Sequence, residues 1–175
     1  MNCCGCPSVK LKPGVIFSRC AWSVQVTDLQ LQQLEKAQLD AVLKLDEICF
    51  ESEPFAAVWW QKALTSAGAS SWILSWKDRP VAYCLFSEIM DEAELLRIAV
   101  DPQQRGKGLA TDLLHKVQDA LIERGITRFF LEVRASNRAA QALYHRCGWQ
   151  PCGRRKNYYP LGDALEDALL FSREP

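Results

Sequence analysis

No apolar run in the sequence approaches the roughly 20 residues that a membrane-spanning helix needs, and the N-terminal region lacks the apolar core of a secretion signal. A cytoplasmic protein that neither spans nor enters a membrane is therefore expected. Net charge is also missing: 21 Lys and Arg balance 21 Asp and Glu. No global field draws this chain to nucleic acid or to an anionic membrane, so any basic site has to be local. Cysteine is too sparse for a disulfide scaffold, at eight in 175 residues against the roughly 8–10% that marks one. Cys49, Cys84 and Cys147 lie in apolar segments and read as small buried thiols. Cys3, Cys4 and Cys6 crowd into MNCCGCP, but no second pair repeats a zinc-site spacing, and Cys147 and Cys152 lie in a different setting. No metal is expected, and residues 1–20 read as an irregular tail. The two histidines offer no nucleophile partner: His145 and Cys147 are two apart on a predicted helix and do not face each other. His115 reads as a surface residue.

What is present suits one α/β domain over residues 21–175, with 49% hydrophobic and 24% charged residues. AWSVQV reads as a first strand, and Asp28 as the cap of a helix carrying Leu34, Leu39, Val42, Leu43 and Leu45. Residues 51–54 interrupt it before a short second helix, AAVWWQKAL. SWILSW and PVAYCLF are strands about a KDR turn, and AELLRIAV is a third. Leu109, Leu113, Val117, Ala120 and Leu121 form the apolar face of a helix ending near Gly125. TRFFLEV, apolar on both faces, reads as a central parallel strand under helices. A helix capped by Ser136 or Asn137 follows, closing at Gly148, and GWQPCGRRKNYYP and EDALLFSRE supply two last strands.

One stretch defies helix electrostatics. A helix start carries roughly +0.5 elementary charge, yet RGKGLATDLL places Arg105 and Lys107 there, alternating with Gly106 and Gly108. The arrangement makes sense if the anion comes from outside: backbone N–H groups, dipole and cations would converge on a phosphate, and the glycines would let the chain approach it. A solvated loop is the bland alternative. A nucleotide P-loop and a dinucleotide G-x-G-x-x-G loop both fail on spacing, the latter because Thr111 stands at the third glycine.

Arg105-Gly106-Lys107-Gly108-Leu109-Ala110 resembles, position for position, the [QR]-x-x-G-x-[GA] loop of the GCN5-related N-acetyltransferases (GNAT superfamily), with a strand before it and an amphipathic helix after it. LEVRASNRAAQALYHRCGW, RRKNYYP and EDALL are similar to the RimI group, the ribosomal-protein alanine N-acetyltransferases. The resemblance implies a GNAT fold, a mixed sheet of about seven strands flanked by about four helices. It implies acetyl-CoA as donor, with its diphosphate on residues 105–110 and its pantetheine arm paired with the backbone of Ile98, Ala99 and Val100 like an added strand. The acceptor it implies is a protein N-terminus, the alanine of a small-subunit ribosomal protein. The acceptor-side loop departs from the group: a CFPEPW-like stretch reads CFESEPF, with Phe55 in place of tryptophan and one residue inserted.

Glu132 is a carboxylate near the C-terminal end of an otherwise apolar strand, where ligands of open α/β sheets gather. It reads either as a partner of Arg134 in an ion pair or as a general base, its proton affinity raised by apolar surroundings. Tyr144 reads by itself as core. By the resemblance it matches the acid that protonates the departing coenzyme A thiolate. A phenol near pKa 10 needs favourable geometry or a lowered pKa to protonate a thiol near 8.5. Asn137 reads as a helix cap, or by resemblance as a cofactor contact. Tyr158 and Tyr159 are candidates for an acceptor wall, and Arg154, Arg155 and Lys156 for contacts to coenzyme phosphates or an acidic partner; both sets also fit a charged edge strand. At pH 7 about a tenth of an α-amine of pKa near 8 is neutral, against under a thousandth of a lysine near 10.4. One carboxylate base therefore serves an N-terminal acceptor more easily.

Overall fold

The computed structural model describes residues 29–51, 57–66 and 68–175. In chain order they form β1 (Leu29–Gln33), α1 (Leu39–Cys49), α2 (Ala57–Thr65), β2 (Ala69–Trp76), β3 (Arg79–Ile89), β4 (Glu92–Val100), α3 (Leu109–Glu123), β5 (Arg128–Arg134), α4 (Arg138–Arg146), β6 (Gln150–Leu161) and β7 (Ala164–Arg173). The strands make one seven-stranded sheet in the order β1-β2-β3-β4-β5-β7-β6. Only β4 and β5 pair in parallel.

The order of elements is the one the periodicities predict, with a correction at the beginning. AWSVQV and Asp28 lie outside the described residues, as does the expected boundary near residue 20. The stretch LQLQQ, which a cap at Asp28 would make the start of the helix, is instead β1, paired antiparallel with β2 from Leu29–Trp76 to Gln33–Trp72. Helix α1 starts only at Leu39, after a 3-10 turn at Lys36–Gln38. Edge pairing supplies β1 with hydrogen bonds that its glutamine-rich sequence does not advertise. Lys77 and Asp78 turn between β2 and β3 with φ of 50° and 62°, the two-residue hairpin turn whose twist matches that of its strands.

Helices cover the sheet unevenly. Leu113, Leu114, Val117 and Leu121 of α3 are fully buried with Phe86, Phe129, Trp149 and Phe171, and each leucine contributes about 1.5–3 kcal/mol. On the opposite face, α1 packs on β3 and β4 while α2 packs on β2, enclosing Val42, Leu45, Trp60, Ile73, Tyr83 and Leu85. That cover does not reach β5. Phe129, Leu131 and Val133 are buried, whereas Phe130, Glu132 and Arg134 alternate with them half-buried. The expectation of a strand apolar and covered on both faces is therefore corrected: β5 is buried on one face only.

Two irregularities open the sheet. Leu85 pairs with Arg97 and Phe86 with Leu95, so Leu96 is an extra residue bulging out of β4. The parallel ladder joins Glu92–Leu95 to Arg128–Leu131 and stops there. Past it, β4 continues beside β3 and β5 beside β7, leaving a splay with Ile98–Val100 on one side and Glu132–Arg134 on the other.

Candidate active site

The coenzyme side is built almost entirely from consecutive residues. Asp101 accepts a hydrogen bond from the Gln103 N–H and caps a 3-10 turn at Pro102–Gln104. Arg105 and the two glycines then lead into α3. Gly106 and Gly108 have φ of 77° and 81°, and Gly108 is the helix cap without any side-chain bond to the first turn. A Cβ on either glycine would meet no protein atom within 4 Å, so the space before them belongs to the cleft. The only acid in the first turn, Asp112, is paired with Lys116 at 2.8 Å. The first-turn N–H groups thus face open space with the two cations beside them, and these residues fit a diphosphate.

That cleft, of about 760 Å³, runs past Gly106, Gly108, Leu109 and Ala110 to Ile98, Ala99 and Val100 and on to Asn137. Lys107 is exposed at its edge and donates to Gln104 at 2.8 Å. The Asp101 N–H donates to the Val81 carbonyl, so by alternation the polar groups of Ala99 face β3 while those of Ile98 and Val100 face the splay. The Val100 carbonyl accepts from Arg105 Nε at 3.2 Å and from Cys49 Sγ at 3.4 Å. Burial raises the pKa of the Cys49 thiol, keeping it a donor. Asn137 caps α4, its Oδ1 accepting from the Ala140 N–H at 3.0 Å.

A second cleft of about 910 Å³ opens on the other side of the splay. Glu132, Tyr144, Tyr159 and Leu96 line it, and it shares Cys49, Phe50, Ile98, Arg105, Asn137 and Ala140 with the first. The structure thus brings Glu132 and Tyr144 together, twelve residues apart in sequence. The surroundings of Glu132 differ from those expected. It is not enclosed by apolar groups: Arg155 Nη1 lies 3.0 Å from its Oε1, and Glu94 of β4 lines a pocket with it. Burial, and next the charge of Glu132, raise the Glu94 pKa. Arg134 does not pair with Glu132; it donates to Glu166 and to the Pro160 carbonyl, both at 2.9 Å. The Ser136 N–H also donates to Glu166, at 3.1 Å; the Arg134 bond first, and Ser136 next, lower the Glu166 pKa.

Tyr144 is buried against Trp149 and Phe171, and burial pushes its phenol well above the ordinary value. Burial works against a lowered pKa, so of the two aids a phenol acid needs this site favours geometry. Tyr159 lies under the Arg134 guanidinium at 4.6 Å and edge-on to Tyr158. Arg154 and Arg155 are ion-paired with Asp167 and Glu132, and neither lines the cleft of the 105–110 loop. Among the described residues, no three His, Cys, Asp or Glu side chains gather as a metal site requires. Of the altered acceptor-side loop, residues 52–55, Phe55 among them, lie outside the described residues, as do Cys3, Cys4 and Cys6.

Sequence reasoning missed the floor of this second cleft. Asp46 of α1 is 1% exposed, accepts from the Tyr83 hydroxyl, and holds Arg97 Nε at 2.6 Å. The Arg97 guanidinium lies 3.7 Å from the Phe50 ring centroid. Two signals were legible: a carboxylate on the apolar face of α1 and an arginine amid LLRIAV.

This geometry has counterparts. A profile of the acetyltransferase (GNAT) family matches residues 31–149. The chain is 34% identical over 145 residues to the [ribosomal protein bS18]-alanine N-acetyltransferase of Escherichia coli K12, covering 81% of this chain and 95% of that one. The crystal structure of the ribosomal-protein-S18-alanine N-acetyltransferase from E. coli superposes with a TM-score of 0.77 at 32% identity, over 83% of this chain and 93% of that one. A spermidine N-acetyltransferase from Vibrio cholerae, solved with CoA and spermine, shares the fold at a TM-score of 0.72 and 19% identity, over 85% of this chain and 96% of that one. With the glycine turn before α3, the splayed sheet and these relatives together, the chain belongs to the GNAT acetyltransferase family and is an acetyl-CoA-dependent N-acetyltransferase.

Proposed function

We propose that this enzyme transfers the acetyl group of acetyl-CoA to the N-terminal alanine of a small-subunit ribosomal protein, by direct attack of the α-amine while both substrates are bound. The observation that carries the reading is the junction of two clefts: Glu132 and Tyr144 line one, and its shared wall at Ile98 and Asn137 is continuous with the other, which holds the 105–110 loop. The relatives named for alanine acetylation support the choice of acceptor.

In this reading Arg105, Lys107 and the N–H groups of residues 106–110 hold the diphosphate, and the outward polar groups of Ile98 and Val100 pair with the pantetheine arm. Asn137 is a second contact on that arm as well as a cap. Glu132 accepts the proton of the incoming ammonium, directly or through one water, as a positioned carboxylate can. The freed nitrogen pair forms the C–N bond and the C–S bond breaks. Tyr144, kept protonated by burial, donates its proton to the departing sulfur; the nitrogen sheds its second proton to solvent as the amide forms, and Tyr144 regains one from solvent.

We place the reaction in the cytoplasm. The described cysteines, Cys49, Cys84, Cys147 and Cys152, are free thiols, in keeping with a reducing compartment. The test is a panel of short peptides beginning with Ala, Ser or Met, or offering only a lysine amine, incubated with acetyl-CoA. Acetylation of the alanine α-nitrogen well ahead of lysine is expected. Transfer to lysine or to a polyamine alone would replace the acceptor, and binding without transfer would make the chain an acyl-CoA-binding module.

A further inference from the structure

Phe50 stands in the shared wall of the two clefts, where the acetyl group meets the acceptor, and it is held twice by one residue. Its backbone N–H donates to the Asp46 carbonyl at 2.9 Å at the end of α1. Its ring lies under the guanidinium that the Asp46 carboxylate grips. Asp46 sits toward the C-terminal end of α1, where the helix dipole opposes a carboxylate, and both charges of the pair are largely withdrawn from water, with side chains 1% and 12% exposed. Such a pair is weak as a source of stability and is best attested as a device that fixes a unique arrangement. Tyr83 closes it from below, its hydroxyl bonded to Asp46 and its ring edge-on to Trp60 of α2 at 5.0 Å. The planar guanidinium is what lets one group bind a carboxylate at its edge and stack on a ring with its face.

We propose that Arg97 is a positioning residue for acceptor choice: gripped by Asp46, it fixes the Phe50 ring at the junction and so limits the room for the first side chain of the acceptor. This rests on the N-terminal acetyltransferase reading. Arg97 acts through Phe50 and touches neither reacting atom.

The experiment compares kcat/KM for two peptides identical except for Ala or Met at the first position, with the full chain and its Arg97→Lys, Arg97→Met and Phe50→Leu variants. The ratio of the two values cancels the amount of folded enzyme, so a purely structural role would not move it. The parent is expected to prefer Ala, and Phe50→Leu and Arg97→Met to erode that preference by about tenfold, the scale on which a pocket reads added methylenes. Arg97→Lys keeps a charge against Asp46 but offers no planar face, so it should restore thermal stability without restoring the ratio. If Arg97→Lys and Phe50→Leu keep the parental ratio within about twofold, a change too small to mean a reshaped pocket, the proposal is overturned. A parent that acetylates no peptide α-amine overturns the underlying reading first, and this proposal with it.

Discussion

The two sides of the splay are made in different ways. The coenzyme side is nearly one continuous stretch, from Ile98 through Ala110, whose conformation is set by two glycines and a helix start. The acceptor side is assembled from α1, β4, β5, α4 and the β6–β7 hairpin, and its ties are long: Arg97 to Asp46 spans 51 positions and Arg134 to Glu166 spans 32. A diphosphate is the same in every acetyl-CoA, so under the proposed reading a short motif suffices to hold it, whereas an acceptor is particular to each enzyme and calls for a surface drawn from several elements.

Substitutions can break that contrast one side at a time. Glu132→Gln removes the proposed base while keeping shape, and kcat for the Ala peptide should fall about 10²–10⁴-fold with calorimetric acetyl-CoA affinity unchanged. Asp46→Ala strands the Arg97 charge and should cost about 3–5 kcal/mol of stability, read as a lower urea midpoint. Gly108→Glu puts a side chain at φ 81° and a like charge against the diphosphate, so the acetyl-CoA Kd should rise about 100-fold, near 3 kcal/mol. Tyr144→Phe should slow turnover about 10–100-fold, the worth of a bond to a developing charge. Because burial raises the Tyr144 pKa, the phenol stays protonated as pH climbs toward its ordinary value of 10. The rate should therefore rise to about pH 8 as the α-amine deprotonates and show no decline from Tyr144 at pH 9. Smallest is Asp112→Ala, which loses an exposed i,i+4 pair with Lys116 worth about 0.3–0.5 kcal/mol. The contrast between Asp46 and Asp112 is then one of burial, on opposite sides of the molecule.

Legibility in the sequence followed the same division. Helix α3, the turn before it and the strand–helix order announced themselves because periodicity, glycines and caps are local. Glu132 and Tyr144 stand out in the sequence because each is odd in its own element or matches a family position. Their surroundings do not: an apolar pocket is expected around Glu132, but its neighbour is Arg155, from a strand whose register no short window reveals. Strand β1 was missed for a related reason. Its LQLQQ has little strand character, and only pairing with β2 makes it one. The Tyr83–Asp46–Arg97–Phe50 chain is the extreme case: Asp46 and Arg97 are each odd in their own element, but no short window joins them, and they meet only where the sheet bulges at Leu96.

The central claim is that one acceptor α-amine and one coenzyme meet in the splay between Ile98 and Glu132. It is tested most directly by the crystal structure of the enzyme with a bisubstrate conjugate, coenzyme A joined through an acetyl bridge to the α-nitrogen of an alanine peptide. The account predicts the diphosphate on residues 105–110 and the bridging nitrogen within about 3 Å of Glu132, or one water away. A peptide running outside the cleft of Glu132 and Tyr144, with the coenzyme seated as expected, would contradict it.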